Sequence, residues 1–464
     1  MDARYFITAA FSVATAGIFF PFSLSGKTKG EDRKAADNGL NRPNFIIIMA
    51  DDLGYGDIGC FGSTSVSTPN LDRMASEGMI LTDYHSNGPV SSPTRCALLT
   101  GRYQQRAGLE GVLLTNVDKH RKAGLRQNEV TFADVLSGNG YDVVMFGKWH
   151  LGYLPQYGPL EHGFSRFEGF LAGNVDYRAF VDSQGRPDWY DGTEQVTPEG
   201  YLTDVINARG ISYIRENHDR PFCLYLAHGC PHSPYQGPDD PPYRTAGSSE
   251  FNPRPAKSEA ETYADMINRM DEGIGRIFDA VRDAGIENDT FVIFVSDNGP
   301  TGPGSSGGFR GRKGGLFEGG HRVPAIVWMP GKVAPGTVSA EPVMAMDIFP
   351  TMLDLAGIEY ENAAKPLDGK SFVPAMEGGQ MNERPLFWKY RTQKAVRVGN
   401  MKYMEKIEGR GDARERVSFL FDLGTDPQEK VNLIQERRKE AAKMKRLLDG
   451  WVEDVQSETK DQTR

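Results

Sequence analysis

The chain has 464 residues, 39% hydrophobic and 25% charged, so a large globular domain with a smaller one beside it is the expectation, not a disordered or fibrous chain. A formal net charge of -9 without any basic stripe argues against a nucleic-acid partner. The four cysteines (Cys60, Cys96, Cys223 and Cys230) have no metal-ligand spacing and define no disulfide framework, so they read as packing residues.

In chain order, Tyr5 to Leu24 is nearly free of charge after Arg4 and is followed by Ser25, Gly26 and an abruptly polar segment. This predicts a signal peptide over residues 1–25 and a periplasmic or secreted mature protein with no membrane span. Apolar, β-branched runs then recur at Asn44–Ala50, Asp142–Gly147, Phe222–Ala227, Thr290–Ser296 and Ala325–Met329. They are continuous rather than alternating, as in strands covered on both faces. Helical patterns separate them; the clearest, Glu261–Ala284, carries Met266, Met270, Ile274, Ile277, Phe278 and Val281 on one stripe. The alternation predicts an α/β fold over residues 43–380, a large, mostly parallel sheet sandwiched by helices. Asn174–Gly192 and Ser233–Lys257 read as long surface loops whose Asp176, Tyr177, Asp188, Trp189, Tyr190 and Tyr235 suit contact with a sugar. Past a polar stretch near Met376–Arg384, residues 381–464 are expected to form a small α+β subdomain. Its antiparallel strands are expected at Ala395–Val398, Lys402–Glu405 and Ser418–Asp422. A helix at Val431–Val452 follows, with Met444, Leu447, Leu448 and Trp451 turned inward.

Polar groups follow the strand candidates in a regular way. Asp51-Asp52 follows the first, Lys148 and His150 the second, His232 the third and Asp297-Asn298 the fourth. In open α/β sheets ligands bind beyond the carboxyl ends of strands, so these clusters imply one assembled site. Asp51, Asp52, Asp297 and Asn298 are oxygen ligands without Cys or paired His, which points to Ca²⁺ or Mg²⁺ rather than Zn²⁺. Between them, Ser91-Ser92-Pro93-Thr94-Arg95 opens a helical pattern. Pro93 suits a first turn, which sets Ser91 just before a helix N-terminus, where free N–H groups attract anions. The four-residue spacing puts Arg95 on the same side.

Together with Cys96-Ala97-Leu98-Leu99-Thr100-Gly101-Arg102, that run resembles the signature of the type I sulfatases of the alkaline phosphatase superfamily, Cys/Ser-x-Pro-Ser/Thr-Arg followed by Leu-Thr-Gly-Arg. Asp-Asp-Leu-Gly from Asp51, Gly-Lys-Trp-His-Leu-Gly around Lys148, Pro-His-Ser-Pro around His232, Ser-Asp-Asn-Gly around Asp297 and Arg-Lys-Gly-Gly around Lys313 match further family positions in order. The resemblance implies an alkaline-phosphatase/sulfatase-like fold and hydrolysis of sulfate esters. It implies that Ser91 is oxidised to formylglycine (3-oxoalanine), and that Ca²⁺ is held by Asp51, Asp52, Ser91, Asp297 and Asn298. It makes Ser91, Arg95, Lys148, His150, His232 and Lys313 the catalytic set, with Arg95, Lys148 and Lys313 holding sulfate oxygens. One histidine protonates the leaving oxygen and the other orients the nucleophile; in the family His232 corresponds to the acid, and the residues alone do not rank it against His150. A plain serine attacking sulfur would form a stable alkyl sulfate. An aldehyde hydrate has a second hydroxyl whose deprotonation expels the sulfate.

Most family members carry Cys where this chain has Ser91, and three readings follow. The serine is native and is oxidised by a radical-type formylglycine-forming maturase, or it replaces Cys so as to trap substrate, or the chain is a non-catalytic relative that binds sulfated glycans. Export favours sulfated carbohydrate as the substrate. The nearest rival is a phosphoryl or phosphonate ester hydrolase of the same superfamily, which usually needs two metals and further Asp and His ligands. His321, Arg322, His85, His120, His162, His218 and His228 are read as structural.

Overall fold

All five apolar runs enter one ten-stranded sheet in the computed structural model, which describes residues 42–461 other than 218, 254–255, 410 and 412–413. The expected signal peptide lies outside the described residues. The strands up to the middle of the chain are β1 (Asn44–Ala50), β2 (Met79–Leu81), β3 (Tyr84–His85), β4 (Asp142–Lys148), β5 (Arg166–Phe170), β6 (Tyr190–Asp191), β7 (Glu194–Gln195) and β8 (Phe222–Ala227). There follow β9 (Thr290–Ser296), β10 (Ala325–Trp328), β11 (Thr337–Ser339), β12 (Val343–Met344), β13 (Leu386–Tyr390), β14 (Gln393–Val398), β15 (Met401–Glu408) and β16 (Glu415–Asp422).

The large sheet runs β11-β2-β10-β9-β1-β8-β4-β5-β6-β7. Its centre, β9-β1-β8-β4-β5, is wholly parallel. On one side β10 runs antiparallel to both β9 and β2, and on the other β6 and β7 form an edge hairpin. Both faces are covered. Along β1, Phe45, Ile47 and Met49 enter one core while Ile46, Ile48 and Ala50 enter the other. Full burial of each such large side chain stabilises the fold by roughly 1.5–3 kcal/mol, which is why continuous apolar runs select these central positions. The expected helical stripe is buried in the helix Glu259–Asp283, which starts two residues early because Ser258 and Glu261 form a capping box.

The four-stranded antiparallel sheet β13-β14-β15-β16 carries the helix Arg438–Asp461. That helix begins later than expected and runs further. Before it, Asn432 Oδ1 accepts from Leu420 N and Leu433 N donates to Leu420 O, tying this segment to β16 instead of to a helical turn. Met444, Leu448 and Trp451 face inward as expected, but Leu447 is 40% exposed, because the buried stripe continues to Val455. The small sheet does not have a core to itself: Trp388, Val396 and Met404 cluster with Val90, Ala97 and Leu316. All four cysteines are free thiols, and no described helix is long and apolar enough to cross a membrane.

The two long loops depart most from expectation. Asp176 accepts from the backbone N–H groups of Arg178, Ala179, Tyr243 and Arg244, pinning one loop to the other. Tyr177 Oη donates to the carbonyls of Gly229 and His232, and Asp188 accepts from the N–H groups of Leu171 and Ala172. Trp189 is buried and Tyr235 nearly so. These groups satisfy buried backbone polar atoms and fill a core, so they are not a sugar-binding face.

Candidate active site

Because β9, β1, β8 and β4 are adjacent and parallel, the residues that follow them emerge at one edge. Against that edge lies the N-terminus of the helix Ser91–Thr100, all of whose residues are buried. Ser91 is its first helical residue, with Val90 as the N-cap. The helix ends at Gly101, whose φ of 64° suits the absence of a Cβ, and Arg102 then pairs with Glu129 and with Glu458 of the C-terminal helix. The second half of the signature is therefore architectural. It anchors the helix that presents Ser91.

Ser91 Oγ lies 2.6 Å from Asp297 Oδ2 and 3.1 Å from Asp51 Oδ1, donating to carboxylate oxygens. Lys148 Nζ donates to Ser91 Oγ at 3.1 Å and to Asp51 Oδ2 at 2.6 Å. Arg95, one helical turn after Ser91, places Nη2 at 2.9 Å and Nε at 3.2 Å from Asp297 Oδ2. Its guanidinium is fully buried behind that carboxylate. Asp52 N donates to Asp297 Oδ1, and the Asp52 side chain accepts from Asn298 Nδ2 at 2.7 Å and from Lys313 Nζ. His232 Nε2 lies 3.6 Å from Asp52 Oδ2. Nine of the ten residues singled out in the sequence thus converge, and the tenth, His150, lines a cavity together with Ser91, His232 and Lys313. Asp52 (φ 65°) and His150 (φ 57°) hold left-handed backbone that non-glycine residues adopt at some cost, a feature that clusters at functional sites.

The electrostatics are unbalanced at one point. Burial pushes the Asp51 carboxyl up to about 8 even though Lys148 pulls it down. Burial also works against ionisation of Asp297, but Arg95 and Lys148 prevail and hold it at about 2. Asp52 stays below the usual carboxylate range because Lys313 and His232 outweigh its burial. Asn298 Oδ1 is buried with no hydrogen-bond partner among the described residues. Three buried carboxylates, one of them pushed towards its neutral form, and an unpaired amide oxygen make an all-oxygen donor set that fits a hard divalent cation.

Ser91, His150, His232 and Lys313 line a cavity of about 680 Å³. His150 Nε2 donates to Leu113 O at 2.9 Å, which leaves Nδ1 as a buried lone pair without a partner among the described residues. Burial, reinforced by Lys148, holds its pKa well below the ordinary histidine value. His232 Nδ1 donates to Ser233 O at 2.6 Å, and burial lowers its pKa to about 3. The rest of the wall was not foreseen: Glu110 to Thr115, His120, Asn174, Tyr390 and Arg391. His120, read as structural, lines the cavity, with Nδ1 accepting from Leu114 N. No local pattern marks these positions, since they come from loops and from the tip of the β13-β14 hairpin.

A family model described as Sulfatase matches residues 43–358, and one described as N-sulphoglucosamine sulphohydrolase, C-terminal, matches residues 308–457. The chain is 36% identical over 393 residues to N-acetylgalactosamine-6-sulfatase of Canis lupus familiaris, covering 78% of this chain and 71% of that protein. It is 32% identical over 451 residues to arylsulfatase A of Homo sapiens, covering 84% and 83%. Among solved structures, Ps i-CgsB in complex with k-i-k-neocarrahexaose superposes with a TM-score of 0.77 at 28% identity, covering 88% of this chain and 92% of that one.

Proposed function

The chain belongs to the sulfatase family and is a sulfuric ester hydrolase, and from that premise we propose that it desulfates carbohydrates through formylglycine formed from Ser91, with one Ca²⁺ as its metal. The observation that carries the reading is the position of Ser91 Oγ, between two carboxylates and a lysine, at the wall of a cavity shared with His150, His232 and Lys313. Asp51, Asp52, Asp297 and Asn298, with the oxygen at position 91, would hold the Ca²⁺. The hydrated aldehyde would supply the nucleophilic hydroxyl and a second hydroxyl for release of sulfate, and the cation would offset developing negative charge.

The remaining work falls to the chain's own side chains. Lys148 touches the reacting oxygen directly. Arg95 orients Asp297 from behind, and Lys313, 19% exposed, offers its charge to the sulfate oxygens from the cavity wall. The bare Nδ1 of His150 can accept the nucleophile's proton. His232, with Nδ1 committed to Ser233 O, has Nε2 left to protonate the leaving oxygen. Burial keeps it neutral in the free protein, and an anionic ester beside it would raise its affinity for that proton. A sugar substrate is supported by the two relatives whose names specify sugars, N-acetylgalactosamine-6-sulfatase and the neocarrahexaose complex. Asn174 Oδ1, buried at the cavity without a partner among the described residues, suits a sugar hydroxyl. Export through the signal at residues 1–25 and maturation by a radical-type enzyme belong to the same reading.

Mass spectrometry of the tryptic peptide containing Ser91 should show the loss of two hydrogens in active material. A panel of sulfated mono- and oligosaccharides beside nitrophenyl sulfate and nitrophenyl phosphate should show turnover of sulfated sugars. Full activity from protein bearing only serine would sink the formylglycine route. Turnover of nitrophenyl sulfate alone would sink the carbohydrate assignment.

A further inference from the structure

We infer that the cavity is built for a substrate with a second anionic group besides the sulfate to be cleaved, and that Arg391 receives that group. This rests on the sulfatase reading of the Ser91 site. Tyr390 pairs with Gln393 across β13 and β14, so Arg391 and Thr392 are the two-residue turn of the hairpin. Arg391 has φ 53°, a conformation that such turns normally give to Gly, Asn or Asp. An arginine held there at a conformational cost calls for a compensating role.

Its charge is the second observation. The other basic side chains of this hairpin all have acidic partners: Lys389 contacts Glu110, Lys394 contacts Asp449 and Glu405, and Arg397 lies 2.6 Å from Asp83. Arg391 has none among the described residues, and its guanidinium rests 5.1 Å from the ring centroid of Tyr390. Both residues line the cavity that holds Ser91, His232 and Lys313. Because Lys389 already neutralises Glu110, Arg391 presents an unopposed positive charge to the cavity. The cavity volume, about 680 Å³, lies well inside the range of about 300–1,000 Å³ that takes a drug-sized ligand, more than one sulfate requires. A guanidinium can hold a carboxylate or a sulfate through paired N–H donors, so a uronate or a second sulfate ester on the same or the neighbouring sugar satisfies it.

The test compares oligosaccharides with the same scissile sulfate and either no other anion, a second sulfate or a uronate carboxylate. In the wild type, kcat/KM should favour the doubly anionic substrates. In Arg391→Ala, the ratio of kcat/KM for doubly over singly anionic substrate should fall ten- to a hundredfold, mainly through KM, and Arg391→Lys should recover part of it. The arm in which the ratio falls identifies carboxylate or sulfate as the group received. A ratio unchanged in both arms, or an equal loss on all three substrates as a purely structural role would give, overturns the proposal. Calorimetric binding of the same oligosaccharides to the Ser91→Ala protein reads the subsite without turnover. There, Arg391→Ala should weaken the doubly anionic ligand at least tenfold relative to the singly anionic one, and equal weakening or none would likewise overturn the proposal. Preserved discrimination in binding beside absent turnover by formylglycine-bearing wild type would instead bring down the carbohydrate-desulfating reading and leave the subsite standing.

Discussion

Two regions of this protein bury dense clusters of charge, three carboxylates against three cations in each, and they differ in what stands among the charges. Around Ser91, three carboxylates meet Lys148, Lys313 and Arg95, yet Asp51 is pushed up to about 8 and Asn298 Oδ1 has no partner among the described residues. Between the two sheets, Asp83 pairs with Arg397, Arg322 and His85, while Glu318 pairs with Lys402 and Arg322. The rings of His85 and His321 bridge the two groups through an Nδ1···Nδ1 contact of 3.0 Å. His85, Glu318 and His321 have ligand atoms close enough to hold a metal, but the Lys402 ammonium already lies 2.8 Å from Glu318 and 3.1 Å from His321. The one carboxyl there pushed up by burial is Glu429, to about 7, beside the same lysine. Buried charge is therefore not the mark of a site. The mark is a hydroxyl, Ser91, set between two of the carboxylates and a lysine at the wall of a cavity that His150 and His232 also line.

The sharpest way to break this contrast is to remove a carboxylate from the first cluster. Asp297→Ala takes away a partner of Ser91, Arg95 and Asp52 N together, and kcat/KM on a sulfate ester should drop on the order of 10³-fold or more. Calorimetry on that variant should show weakened Ca²⁺ binding; unchanged affinity would remove Asp297 from the metal shell. Adding Ca²⁺ to metal-depleted wild type at 100 times its Kd should raise stability by about 2.7 kcal/mol, seen as a shift in thermal midpoint that Asp297→Ala lacks.

In the second cluster the effect should fall on stability instead. Lys402→Met leaves Glu318 and Glu429 buried without their shared cation, which should cost about 3–5 kcal/mol in denaturant unfolding. Ca²⁺ affinity should be untouched. A large loss of metal binding in this variant would erase the distinction between the regions.

The narrowest effect, confined to acid pH, concerns His228, which belongs to neither cluster. It is buried, neither ring nitrogen has a partner among the described residues, and burial lowers its pKa from 6.5 to about 3. The unfolded chain takes up a proton below pH 6.5 that the folded chain refuses until about pH 3. Its contribution is therefore complete above pH 6.5 and is lost as pH falls, at a slope of about 1.4 kcal/mol per pH unit. His228→Leu should flatten the acid limb of a stability–pH curve by that one-proton slope, and an unchanged limb would contradict the assignment.

Much of the catalytic end was legible in the sequence because its signals are local. Continuous apolar runs fall on β1, β8 and β9 with the expected ends, and the polar residues directly after them cannot be far from the sheet edge. The four-residue spacing of Ser91 and Arg95 likewise brings both side chains to Asp297, since helical geometry carries it. What escaped depends on partners distant in the chain. The short β2 lacks a strand-length run, and its three residues pair only because β10 and β11 flank them. Tyr177 and Trp189 read as solvent-facing until the fold shows what covers them. Arg391 reaches the cavity only because β13 and β14 turn there and because Lys389 meets Glu110, 279 positions away. Residue type and spacing determined the chemistry that this chain can assemble at one sheet edge. Which side chains wall the cavity, and which charges there stay unpaired, was decided by long-range packing, because burial and pairing are properties of neighbours that the linear order does not contain.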